Sequence, residues 1–203
     1  MFPFDVILFD VGGVVLTNGW DGCERARVAE RFQLDLEAFE AHHAAPCDAW
    51  ERGAIDATAY LDAAVFYEPR PFSRDHFFAA LLAESRLLDD GALGVVKEVT
   101  AQNRYLVGTL NNEAREPNLY RFEKFHLTGY FDVAFSSCYL GMRKPEPAIY
   151  RRVLDMLGKP AGRILFIDDR AENVAGAEAA GIRSVQFSGE AALRSALKDL
   201  GVL

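Results

Sequence analysis

The sequence predicts an α/β fold: one central parallel sheet between two helical layers, with a helical block inserted after the first strand. Three observations predict it. Short apolar runs recur at 6–9, 104–109, 132–136, 164–167 and 184–187, as buried strands require. From residue 104 onward these runs alternate with helix-like stretches, the connection that parallel strands need. Between residues 21 and 85 the alternation stops and only helical periodicity remains.

Taken in order, Val6-Ile7-Leu8-Phe9 is the first strand, closed by Asp10 and a Gly12-Gly13 turn. Cys23, Ala26, Val28, Ala29 and Phe32 recur at helical spacing, and so do Tyr60, Leu61, Ala64 and Val65. Phe77, Phe78, Leu81 and Leu82 mark a third helix, with Ser73 as its N-cap. Ala45-Pro46 and Arg52-Gly53 read as turns between them. Hinges at Thr17-Asn18-Gly19 and Asp89-Asp90-Gly91 divide the chain into a core, residues 1–17 and 88–203, and a helical block, residues 18–87. Strand 104–109 leads to a helix over 118–125, then strand 132–136. A helix over 147–157 has Pro147 in its first turn and Gly158 just past its end. Strand 164–167, a helix over 171–180 stopped by Gly181, strand 184–187 and a helix over 190–200 complete the chain.

A length of 203 residues, 50% of them hydrophobic, suits one good core plus a small insert. The formal charge of −8 argues against a nucleic-acid or anionic-membrane surface, so neither is expected as a partner. It also means that an anionic substrate must meet local cations. The 3 cysteines are odd in number and lack paired spacing, which fits reduced thiols. The N-terminus lacks a signal-peptide pattern, and no run approaches the ~20 apolar residues of a membrane span. A soluble, cytoplasmic protein is the expectation.

Asp10 and the pair Asp168-Asp169 each follow an apolar run. In parallel sheets ligands bind outside the carboxyl ends of the strands. If these two strands are neighbours, three carboxylates crowd one edge, and like charges so close cannot all stay ionised unaided. A divalent cation relieves this, and an all-oxygen site points to Mg²⁺.

Asp10 after a strand, Thr109 ending the next, Lys144 in Gly141-Met142-Arg143-Lys144-Pro145-Glu146-Pro147, and Asp168-Asp169 with Asn173 follow one another in order. This series resembles the motifs of the haloacid dehalogenase-like hydrolases, and the helical block resembles their cap. The resemblance implies a Rossmann-like three-layer core with an inserted helical cap domain. It also implies a small phosphatase, similar to bacterial sugar-phosphate phosphatases, that hydrolyses a small phosphorylated metabolite with Mg²⁺. Asp10 would attack phosphorus and carry an aspartyl-phosphate, splitting one hard step into two. Thr109, the Leu110 amide and Lys144 would bind the phosphoryl oxygens. Pro145 biases Lys144 toward an extended conformation that reaches the site. Asp10, the Gly12 carbonyl and Asp169 would bind the metal, Asp168 serving beside or behind them, and Asn173 would orient Asp169.

One position departs from that pattern. Where such phosphatases usually carry a second Asp to protonate the leaving group, this chain has Gly12. A general acid is typically worth ~10²–10⁴-fold, so turnover survives its loss only in part. Asp21, His42, His43, Asp48 and Glu51 are candidate substitutes. Two competing readings are a metal-independent 2-haloacid dehalogenase and a catalytically silent binding protein.

Overall fold

The computed structural model describes residues 3–203. Its strands are β1 (Val6–Phe9), β2 (Leu106–Asn111), β3 (Val133–Ser136), β4 (Ile164–Asp168) and β5 (Arg183–Gln186). All pair in parallel in the order β3-β2-β1-β4-β5. β1 is therefore central, and its four residues are fully buried because both faces are covered. From β1 the chain adds β2 and β3 on one side, then returns to lay β4 and β5 on the other. The reversal puts a crevice at the carboxyl ends of β1 and β4, where α/β sheets place their ligands.

Four helices lie between β1 and β2 ahead of the sheet-covering ones: α1 (Gly22–Arg31), α2 (Leu36–Glu51), α3 (Ala57–Ala64) and α4 (Arg74–Ala83). Each begins at a side-chain cap, from Asp21, Asp35, Asp56 and Ser73, which accepts a backbone N–H of the first turn. These helices bury their own apolar cluster, built on Phe32, Phe39, Trp50, Tyr60 and Phe77. Trp50 and Tyr60 stack with ring centroids 4.4 Å apart.

The remaining helices are α5 (Leu93–Ala101), α6 (Arg115–Lys124), α7 (Ser137–Leu140), α8 (Pro147–Leu157), α9 (Ala171–Ala179) and α10 (Glu190–Asp199). Val95, Val96 and Val99 of α5 and Leu193 and Leu197 of α10 cover one sheet face, against Ile7, Phe9 and Ile167. Ile149, Tyr150 and Val153 of α8 and Ala177 of α9 cover the other, against Leu8 and Phe166. Among the described residues, no helix is long and apolar enough to cross a membrane.

Three local expectations fail. The predicted turn at Ala45-Pro46 does not exist, since α2 runs through it with Pro46 inside. A mid-helix proline costs ~3 kcal/mol, and burial of Phe39, His43 and Trp50 along one face of α2 offsets it. α5 is absent from the predicted elements, although Val95, Val96 and Val99 form a helical stripe. β2 ends at Asn111, two residues beyond its predicted end.

Candidate active site

The register brings the acidic strand tips together. β1 pairs with β4 through Phe9 and Ile167, and the Asp10 N–H donates to the Ile167 carbonyl at 2.8 Å. Asp10, Asp168 and Asp169 each place a carboxylate oxygen within 4.8 Å of the others. Lys144 lies among them, fully buried at its side chain. Its Nζ is 3.0 Å from Asp10 Oδ1 and 2.6 Å from Asp168 Oδ2, and it donates to the Leu110 carbonyl at 2.8 Å. Burial alone would depress the Lys144 pKa. Asp10 and Asp168 more than offset this and hold the ammonium above its usual value. Burial, reinforced by Asp168 and opposed by Lys144, pushes the Asp10 carboxyl up to about 7.

The two adjacent aspartates at the end of β4 play different parts, because successive side chains on a strand point to opposite faces. Asp168 is fully buried and its oxygens are engaged. They accept from Lys144 Nζ, from the Arg170 backbone N–H at 2.9 Å, and from Asn173 Nδ2 at 3.0 and 3.1 Å. Asn173 thus orients Asp168 rather than Asp169, contrary to the sequence expectation. Asp169 is different. Its Oδ1 is buried without a hydrogen-bond partner among the described residues, and burial followed by the Asp168 charge raises its pKa. A Cβ on Gly13 would lie 2.2 Å from Asp169 Oδ2, and Gly13 sits at φ +73°, so only glycine lets Asp169 approach this turn. An orphaned carboxylate oxygen beside a second carboxylate in an oxygen-rich crevice fits Mg²⁺. Asp10, whose Oδ1 also meets Lys144 Nζ and the Val11 N–H, Asp169 and the carbonyl of Gly12 are the groups that could hold it.

Thr109 is not brought to the site. It pairs level with Phe9, one step short of Asp10, and it is fully buried with Oγ1 unpartnered. Leu110 still lies in β2, paired with Phe135, and its carbonyl is taken by Lys144. The polar groups at the strand tip are Asn111 and Asn112, which line the crevice. Asn112 clamps the Lys144 backbone twice, donating to its carbonyl and accepting its N–H, both at 2.8 Å. The amide Nδ2 of Asn111 is buried without a partner. A polar pair directly after an apolar run was the available sequence signal, hidden because Leu110 prolongs the strand.

A family model for haloacid dehalogenase-like hydrolases matches residues 4–181. The chain belongs to this family. It is 38% identical over 80 residues to flavin mononucleotide hydrolase 1 of Arabidopsis thaliana, covering 39% of this chain and 33% of that one. It is 32% identical over 85 residues to the sesquiterpene phosphatase astK of Aspergillus oryzae, covering 41% of this chain and 43% of that one. The chain therefore spans less than half the length of these curated relatives. Its fold is similar to that of a haloacid dehalogenase family enzyme from Bacteroides thetaiotaomicron in complex with magnesium and inorganic phosphate. That likeness has a TM-score of 0.75 and 21% identity, and covers 92% of this chain and 95% of the other.

In this family member the helical insertion roofs a cavity of about 350 Å³ over Asp10. Polar bonds fasten the roof. Arg143 pairs with Asp48 at 2.9 Å and Glu51 at 2.7 Å, Arg170 pairs with Asp21 at 3.0 Å, and Arg52 pairs with Glu146. Trp50 Nε1 and the Ala57 N–H both donate to Glu116, at 2.8 and 3.0 Å. Arg25, Arg121, Arg143, Lys144 and Arg170 line the cavity beside Asp10, Asp21, Glu40, Asp48, Glu51 and Glu113, so an anionic ligand meets cations within a lining of mixed charge. Sequence reasoning missed Glu113 and Arg121. Arg121, on α6, is almost fully buried and donates to Glu113 Oε2 at 2.7 Å, Ser85 Oγ at 3.0 Å and the Thr17 carbonyl at 2.5 Å. It thereby grips both crossings between the sheet and the helical insertion.

Proposed function

We propose that the protein is a Mg²⁺-dependent phosphatase acting on a small phosphomonoester through an aspartyl-phosphate on Asp10. One observation carries the reading: the Asp10 carboxyl, a buried lysine bound to it and an orphaned aspartate converge at one sheet edge beneath a cavity that holds further arginines. Asp10 Oδ attacks phosphorus as the ester oxygen departs, and water then cleaves the acyl phosphate. Lys144 offsets charge on the phosphoryl oxygens and holds Asp10 in place. Asn111 Nδ2 takes the hydrogen-bonding part first expected of Thr109. Mg²⁺, when bound by Asp10, Asp169 and the Gly12 carbonyl, supplies charge stabilisation to the phosphoryl group. Residues 18–87 act as the cap, excluding water and selecting the substrate.

A 2-haloacid would bring its own carboxylate against Asp168 and Asp169, so the same geometry disfavours carbon–halogen cleavage. The relatives, a flavin mononucleotide hydrolase and a sesquiterpene phosphatase, support a phosphate ester as substrate. The test is para-nitrophenyl phosphate hydrolysis with and without Mg²⁺, followed by a panel of sugar, nucleotide and prenyl phosphates. Turnover requires Mg²⁺ and vanishes in Asp10→Asn. Activity insensitive to chelator, or retained in Asp10→Asn, overturns the proposal.

A further inference from the structure

Displacing an alkyl phosphate requires a proton for the departing oxygen, and Gly12 has no side chain to give one. Among the titratable groups lining the cavity, most are committed elsewhere. Asp48 bridges Arg52 and Arg143, which hold its carboxyl below the usual range. Glu40 is bound by both Nε and Nη2 of Arg25. Asp21 caps α1 and pairs with Arg170. His43 hydrogen-bonds Tyr60, and burial lowers it to about 4. Glu51 of the roof, also raised in pKa by burial, pairs with Arg143 and is the rival proton donor that Glu51→Gln tests.

We propose that Glu113 is the residue that exchanges the proton with the leaving group, an assignment that rests on the phosphatase reading above. Glu113 follows the tip of β2, on the same wall as Asp10. Its backbone N–H is fixed by Ser137 Oγ at 2.9 Å, and the residue lines the cavity together with Asp10 and Gly12. Oε2 is held by Arg121, while Oε1 has only a long 3.3 Å bond from the Ala114 N–H. Arg121 Nη1 is also 3.7 Å from where a Cβ on residue 12 would stand, and Asn18 Oδ1 is 3.1 Å from it. The niche beside Gly12 is thus bordered by Asn18 and by the Arg121 Nη1 that also donates to Glu113 Oε2. Burial pushes the Glu113 carboxyl up to about 7, Arg121 opposing and Glu51 of α2 adding to the effect. Cys47 of α2 and Cys138 of α7 are the other titratable neighbours that feel its charge. A carboxyl that titrates near neutrality can both give and take a proton.

In the first step Asp10 Oδ bonds to phosphorus, the P–O bond to the alkyl group breaks, and the Glu113 proton passes to the alkoxide. In the second, Glu113 carboxylate takes a proton from the attacking water, which releases phosphate and restores both side chains.

The experiment compares Glu113→Gln, Glu113→Asp and Glu51→Gln on para-nitrophenyl phosphate and on the best alkyl phosphate of a sugar- and polyol-phosphate panel. Thermal melts check that each variant is folded. Glu113→Gln is expected to lose ~10²–10⁴-fold in kcat/KM on the alkyl ester but at most about tenfold in kcat/KM on the nitrophenyl ester, whose leaving group needs no proton, while kcat falls on both because the water step is shared. Glu113→Asp should recover part of the alkyl activity. Equal loss of kcat/KM on both esters, no loss on either, or a leaving-group-dependent loss of kcat/KM in Glu51→Gln instead would overturn the assignment. So would a wild-type enzyme that cleaves only the nitrophenyl ester. Hydrolysis of neither ester by the wild type would instead sink the phosphatase reading itself.

Discussion

Replacing Lys144 by Met removes the one cation between Asp10 and Asp168 while nearly preserving volume. In the native site Nζ is 3.0 Å from Asp10, 2.6 Å from Asp168 and 2.8 Å from the Leu110 carbonyl. The variant leaves Asp168, fully buried, as an uncompensated charge beside a second carboxyl. Removing one partner of a buried pair costs ~3–5 kcal/mol, a large share of the ~5–15 kcal/mol that stabilises a domain. The sign with pH follows from Asp10, whose folded pKa is already raised from 3.8 to about 7. A raised pKa contributes stability below the unfolded value and loses it as pH rises through the folded one. Without Lys144 that pKa climbs further, so the deficit widens with pH. Urea unfolding in chelator, followed by circular dichroism, should show a loss of about 4 kcal/mol at pH 8 and a smaller one at pH 5.5. Adding Asp168→Asn should recover part of it. A loss under about 1 kcal/mol, or one equal at both pH values, would refute the reasoning.

Three further outcomes follow from the same site and its roof. Because protons compete with metal for Asp10 and Asp169, both raised in pKa, saturating Mg²⁺ should raise the melting temperature more at pH 8 than at pH 5.5; an equal rise contradicts this. His43 is lowered from 6.5 to about 4, so its stabilising share is present above pH 6.5 and lost as pH falls toward 4, by up to ~3 kcal/mol. His43→Gln should remove that part of the acid slope in denaturant titrations, and an unchanged slope would count against it. Gly13→Ala places a Cβ 2.2 Å from Asp169 Oδ2 at φ +73°, which should cost ~1 kcal/mol in stability and weaken Mg²⁺ binding measured by calorimetry; undiminished affinity would remove Asp169 from the metal site.

The sheet and its acidic edge were legible because they are written locally. Apolar runs at β1 and β4 end in aspartate, while their adjacency was only a condition in the sequence and is fixed by the sheet order. Lys144 was legible through its place in the motif series that resembles the family, with Pro145 favouring an extended backbone there. The tip of β2 was not, because Leu110 is apolar and extends the strand past Thr109, and only pairing with β1 shows which residue stands level with Asp10. The division of labour between Asp168 and Asp169 was half legible, since adjacent strand residues face opposite ways, but Asn173's choice of partner depends on how α9 packs. Pro46 misled because a local breaker was outweighed by burial across the whole of α2. Glu113 and Arg121 carry no periodic or motif signal; their pairing spans a loop and a helix and depends on the two chain crossings they fasten.

The central claim is that Asp10 becomes phosphorylated during turnover. Acid-quenching the enzyme with its ester in the presence of Mg²⁺, then mapping peptides by mass spectrometry, tests this directly. A phosphoryl group on the peptide bearing Asp10, absent when Mg²⁺ is withheld, is the predicted result. Steady turnover with the phosphoryl group trapped on another residue would contradict the account.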